Sequence, residues 1–237
     1  MGAQLRVYRR RMRSVKATKK ITRAMELISA SRIVKAQQRV AASTPYASEL
    51  TNAVTAVAAY SNTPHPLTTA NSNPKKAAVL IITADRGMAG AYSNAAIKEG
   101  DLLIAELKSR GLAVDAYLVG RKAVNFYRFR NREIAASWTG FSDNPNFENA
   151  REVSAQLISA FTDENGVDEL HIVYTEFKSM ITQTPVHAQM LPLLVDPSER
   201  PAGIAPMYEF EPNASDVLNA LLPKYVEART FNAMLQS

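Results

Sequence analysis

Three histidines, one glycine-bearing turn, a few adjacent acids and a run of arginines and lysines are the groups in this 237-residue sequence with chemistry to offer. His65, His171 and His187 are scattered, with no H-E-x-x-H and no second ligand at metal spacing. Each therefore reads as a packed or surface imidazole rather than a zinc ligand or a catalytic base. The turn Asp85-Arg86-Gly87-Met88-Ala89-Gly90 follows an apolar run and opens a helical pattern, a place where phosphate can sit on free N–H groups. No two glycines stand two apart and no Gly-Lys-Ser/Thr occurs, which excludes both G-x-G-x-x-G and the P-loop. The expected role of the turn is structural, with Gly87 and Gly90 allowing the bend and Asp85 and Arg86 tying it down. Asp163 and Glu164, like Asp168 and Glu169, are neighbours flanking a strand start and need not converge. The absence of Cys removes disulfides, thiolate nucleophiles and Cys-based metal sites. No G-x-S-x-G elbow is present either. The expectation is a non-catalytic chain without cofactor or metal.

The cations are organised. The first 40 residues hold twelve Lys and Arg and one acid, Glu26, a charge of +11 against −5 for the remaining 197 residues. Arg6, Arg9, Arg13, Lys16, Lys20 and Arg23 step by 3 and 4, a ridge along one side of a helix. With almost no acids to neutralise it, the ridge points to an external acidic surface.

The element that carries the ridge is a long helix. Ala3 to Thr44 contains neither Gly nor Pro and is rich in Ala, Arg, Lys, Gln, Met and Leu, which predicts a rod on the order of 60 Å. Leu5, Tyr8, Met12 and Val15 form a heptad stripe, and Ile33, Ala36, Val40, Ala47, Leu50, Val54 and Val57 continue it. Pro45 leaves two outcomes open, a kinked rod or a helix restart. Between Lys19 and Ser29 the stripe positions turn polar (Lys19, Thr22, Glu26, Ser29), while the apolar residues shift to Ile21, Met25 and Ile28. One partner helix cannot follow both stripes, so this section is expected to meet something else.

Ser61 to Lys76, rich in Pro, Asn, Ser and Thr, reads as a linker. Beyond it, apolar runs at Ala77–Ala84, Val114–Val119, Glu169–Phe177 and Gln189–Val195 alternate with helical patterns ending near Gly111 and spanning Asn149–Phe161. That alternation predicts an α/β fold, a doubly wound and mostly parallel sheet. A last helix begins near Ser215. The expected organisation is 1–60 rod, 61–76 linker, 77–212 α/β (Rossmann-like) domain and 213–237 returning helix. An apolar fraction of 46% fits a globular chain. The longest uncharged apolar stretch, eight residues, is too short to span a bilayer, and the basic N-terminus lacks an h-region. The reading is a soluble protein of a reducing compartment.

At this point the residues carry a likeness. Ser14–Gln37 (SVKATKKITRAMELISASRIVKAQ) resembles the N-terminal signature of the gamma subunit of bacterial F-type ATP synthases. Thr83–Tyr92 (TADRGMAGAY), Asp168–Met180 (DELHIVYTEFKSM) and Leu221–Leu235 (LLPKYVEARTFNAML) resemble later segments of that family, in order. The resemblance implies a central-stalk rotor whose terminal helices wind into an antiparallel coiled coil inside a ring of alpha and beta subunits. Its α/β domain would sit against the epsilon subunit and the c-ring, and the chain would be peripheral to the cytoplasmic face of the bacterial plasma membrane. It implies no bound nucleotide and no nucleic acid. It also implies that Arg9, Arg13, Lys16, Lys20, Ile21, Arg23, Met25 and Ile28 face the alpha/beta ring, with Leu5, Met12, Val15, Ile33, Val40, Leu50, Val54 and Val57 on the coiled-coil seam.

The sequence departs from the family in one respect. The returning helix has about 22 residues, enough to cover roughly Lys35 to Val57 of the rod at 1.5 Å per residue. The chain thus reads as C-terminally truncated relative to the family, with impaired torque transmission. The alternative from another class is a nucleic-acid-binding protein using the basic helix. The stripe beside the ridge and the lack of interleaved aromatics speak against it.

Overall fold

A computed structural model describes residues 2–60, 65–87, 89–179, 181–193, 211 and 213–237. These fall into two units, Met1–Ala42 and Ser43–Ser237. Helix α1 (Gly2–Tyr60) is a single 59-residue element that runs through Pro45, so of the two outcomes left open the helix does not restart. Its composition of strong helix formers explains the length, since no Gly interrupts the interior.

The second unit is built on a five-stranded sheet ordered β3-β2-β1-β4-β5. Strands β1 (Lys76–Ile82), β2 (Ala113–Val119), β3 (Ala136–Trp138) and β4 (Glu169–Phe177) run parallel. β5 (Gln183–Leu191) closes one edge antiparallel to β4. Helices α2 (Tyr92–Ser109) and α3 (Arg121–Phe129) cover one face, and α4 (Phe147–Thr162) and α5 (Ala214–Gln236) the other. Consecutive residues of β1 serve opposite faces: Ala77, Val79 and Ile81 pack under α2 and α3, and Ala78, Leu80 and Ile82 under α4 and α5. That explains a continuous apolar run instead of an alternating one.

β5 differs from the sequence reading in extent, and α3 and β3 were not read at all. β5 begins at Gln183, six residues before the expected Gln189, because an edge strand tolerates polar residues and Pro185; the last two residues of that expected strand lie outside the described residues. α3 and β3 are short, and the cations of α3 mask its apolar side. Gly120 enters α3 at φ +94°, and a Cβ there would lie 2.1 Å from the Thr83 carbonyl oxygen. Only glycine permits this crossing of β2 into α3 over the end of β1.

The expected 61–76 linker is described from residue 65. There it packs closely, with His65 and Leu67 buried. The stretch of α1 from Ser43 onward also belongs with the α/β body, because Ala47, Leu50, Val54 and Val57 are buried there. Among the described residues, no helix is long and apolar enough to cross a membrane.

Candidate functional site

In the Met1–Ala42 unit, α1 presents both sets of side chains singled out in the sequence. The ridge residues Arg6, Arg9, Arg13, Lys16, Lys20 and Arg23 are exposed. Arg23 donates to Glu26 at 2.8 Å, so the one acid of the segment neutralises the last member of the ridge. Leu5, Met12 and Val15 are 53–66% exposed, and Ile21, Met25 and Ile28 are 42–61% exposed. Ile33 and Val40 are half-buried. In the section where the stripe turns polar, Thr22 donates its hydroxyl to the Thr18 carbonyl at 2.9 Å and Thr18 to that of Ser14 at 3.1 Å. Polar side chains satisfied by their own helix require no partner at those positions.

Within the Ser43–Ser237 unit, α1 and α5 meet. Ala47 and Leu50 form a buried cluster with Ala228, and Leu221 packs against it. Val54 and Val57 join the core that holds Leu218 and Leu222. Asn232 donates through Nδ2 to the hydroxyls of Ser43 at 3.3 Å and Thr44 at 3.2 Å. As numbers rise along α1 they fall along α5, so the two segments pack antiparallel. At the other end of α5, Asn213 caps the first turn by accepting from Asp216 N at 2.9 Å.

The turn after β1 is held by Asp85. Its carboxylate accepts from the backbone N–H groups of Arg121 (3.0 Å), Gly140 (2.8 Å) and Ser142 (2.9 Å), while its own N–H donates to Ser142 Oγ at 2.7 Å. Burial alone would raise the Asp85 pKa; the N–H donors outweigh it and hold the carboxyl below its ordinary value. Arg86 pairs with Asp143 at 3.2 Å. Asp85 thus joins the loops that follow β1, β2 and β3, and Gly90 turns into α2 at φ +56°. These groups staple loops and present no reacting pair.

The histidines and the paired acids are also engaged structurally. Buried Glu169 receives Arg110 at 2.5 and 3.2 Å and contacts His171 Nε2 at 2.9 Å. Burial pulls the His171 pKa below its ordinary value against the opposing pull of Glu169. Glu169 itself is held low: burial would raise it, but Arg110 and His171 prevail. Asp168 accepts from Lys75 N, Lys76 N and Asn71 Nδ2, which outweigh its burial and lower its pKa. His65 contacts Asn219 at 3.1 Å and His187 contacts Glu99 at 2.7 Å. Among the described residues, no three His, Cys, Asp or Glu gather as a metal site. Arg110, Glu99, Ser142, Asp143 and Asn232 escaped the sequence reading, since each acts on a partner remote in the chain and no local signal marks it.

The family described as ATP synthase matches residues 4–237. The ATP synthase gamma chain of Acidothermus cellulolyticus is 59% identical over 241 residues, covering 100% of this chain and 80% of that one. That of Streptomyces coelicolor is 57% identical over 244 residues with the same coverage. Among solved structures, a chain of the central stalk and c-ring of the Tetrahymena thermophila mitochondrial ATP synthase superposes with a TM-score of 0.65. It covers 92% of each chain at 19% identity, a likeness of fold.

Proposed function

The chain belongs to the ATP synthase gamma family, and on that premise we propose that it is the central-stalk rotor subunit of a proton-translocating F-type ATP synthase. In this reading it couples rotation of the c-ring to the conformational cycle of the catalytic beta subunits and is itself non-catalytic. The observation that carries the reading is the match over the whole chain to gamma chains at 57–59% identity.

The physical features support it. The exposed cations of α1 suit acidic segments of the surrounding alpha and beta subunits: attraction between facing charges favours association without locking one register, as a turning shaft requires. Arg9, Arg13, Lys16, Lys20 and Arg23 supply that charge, and Ile21, Met25 and Ile28 supply apolar contacts. Leu50, Val54 and Val57 pack against α5, and in this reading Leu5, Met12, Val15, Ile33 and Val40 continue the same coiled-coil seam along α1. The α/β body is the part that meets the epsilon subunit and the c-ring, and the subunit is peripheral to the cytoplasmic face of the plasma membrane.

Reconstitution with alpha and beta subunits, followed by rotation-coupled ATPase measurement, tests the reading. A specific complex with coupled ATPase is the expected result, and failure to assemble overturns the rotor reading.

A further inference from the structure

The α/β body carries a second group of cations, apart from those of α1. From Arg121 to Arg132 the sequence holds five Lys and Arg and no acid, within a remainder of the chain that sums to −5; Glu133 is the first acid to follow. Four of the five are Arg, and Phe126, Tyr127 and Phe129 stand among them. The rotor reading gives this run no role.

The fold turns the run outward. α3 lays Ala123, Val124 and Tyr127 on the sheet, which leaves Lys122, Asn125, Arg128 and Phe129 exposed on its outer side. Phe129 is 83% exposed and lies between Arg128 and Arg130 in the chain. Arg121 is drawn to Asp85 at 3.7 Å, and Arg132 pairs with Asp101. Lys122, Arg128 and Arg130 form no ion pair among the described residues. Arg130 instead lies over the Phe126 ring, 5.6 Å from its centroid, which orders the guanidinium without neutralising it.

Three uncompensated cations around one bare ring fit a surface that is uniformly anionic and yields to an apolar group anywhere. Phosphate oxygens receive the Arg fork, and a ring among cations enters the boundary between headgroups and acyl chains. A protein partner would need a pocket shaped for Phe129 inside an all-acid surface, whereas charge is depleted at the centre of protein interfaces.

We propose that the outer side of α3 touches an anionic bilayer, with Lys122, Arg128 and Arg130 on lipid phosphates and Phe129 in the interface. The proposal rests on the reading that the chain works at a membrane face. Each cation near such a surface is worth about fivefold in partitioning. The contact therefore steadies a body already held near the membrane and does not recruit the chain by itself.

The chain has no Cys, so Asn125→Cys gives the full chain one site for an environment-sensitive fluorophore on the outer side of α3. Vesicles of equal parts phosphatidylcholine and phosphatidylglycerol should shift its emission to the blue, and brominated acyl chains should quench it. Vesicles of phosphatidylcholine alone should do neither. The response should persist when Arg9→Glu, Arg13→Glu and Lys16→Glu are combined, which takes the cations of α1 out of the measurement. Arg128→Glu with Arg130→Glu should weaken it by about thirtyfold or more, and Phe129→Ser should at least halve the quenching, each with an unchanged melting curve. Should the double variant fail to fold, Phe129→Ser, at an exposed position, decides. No response to anionic vesicles, an equal response to neutral ones, or a response that survives both sets of α3 substitutions overturns the proposal. So does a response lost when the cations of α1 alone are reversed. Saturation by a polyglutamate peptide without any response to vesicles overturns it in favour of an acidic protein partner. Assembly with alpha and beta subunits is measured on the same proteins: normal assembly without a vesicle response removes the α3 contact and leaves the rotor reading standing.

Discussion

At the scale of residues, Asp85 does the most with one side chain. Its carboxylate holds three loops that are separated by up to 57 positions in sequence. Asp85→Ala would leave three N–H donors without their acceptor, so a loss of about 3 kcal/mol is expected, read as a lower urea midpoint. Titration of buried groups gives a second expectation. His171 is held below its ordinary value, so the unfolded chain takes up that proton first, and stability declines as pH falls below about 6.5. Asp85, Asp168 and Glu169 are also depressed, but they are carboxylates. Their stabilisation is whole above about pH 4 and is lost as pH falls through their lower folded values. Thermal melting across this range should show a shallow decline followed by a steep one. His171→Gln should remove the first and spare the second; an unaltered profile would mean that another group governs it.

At the scale of elements, α1 from Ser43 onward packs against α5, which itself rests on α4 and β4. Leu50 is buried in the contact with α5, so Leu50→Ala should cost about 2–3 kcal/mol, whereas Leu5→Ala, at an exposed position, should cost under about 0.5 kcal/mol. Equal losses in denaturant titrations would show that burial does not distinguish the two ends of the helix. The same elements show what could be read in advance. β1, β2 and β4 were legible because both of their faces are covered, which leaves apolar runs such as Ala77–Ile82. β5 was only partly legible, since an edge strand with one antiparallel neighbour can carry Gln183, Thr184 and Pro185. α3 was hidden because five of its nine residues are charged, polar or exposed aromatic. In the candidate site, the ridge spacing was visible locally. The staple at Asp85 was visible only as an acid beside two glycines, since its partners Gly140 and Ser142 come from a distant loop.

At the scale of the whole molecule, charge is divided unevenly, +11 in the first 40 residues and −5 in the rest. Combined reversal of Arg9→Glu, Arg13→Glu and Lys16→Glu removes attraction that exposed pairs supply at about 0.2–1 kcal/mol each. Assembly with alpha and beta subunits should weaken on the order of tenfold at low ionic strength, with the gap closing as salt is raised. Sedimentation of the mixed subunits measures it, and an unchanged complex would remove the ridge from the interface.

Pro45 adds a mechanical property. It lies inside α1 without ending the helix, yet it has no N–H to give to the carbonyl of Ala41. One rung of the ladder is absent between two stretches in which the ladder is continuous. Under a twisting load the helix behaves as two stiff springs joined by a softer one, and angular strain collects at the soft link. The compliance of α1 is therefore local, and its position is set by a single ring closed on the backbone nitrogen.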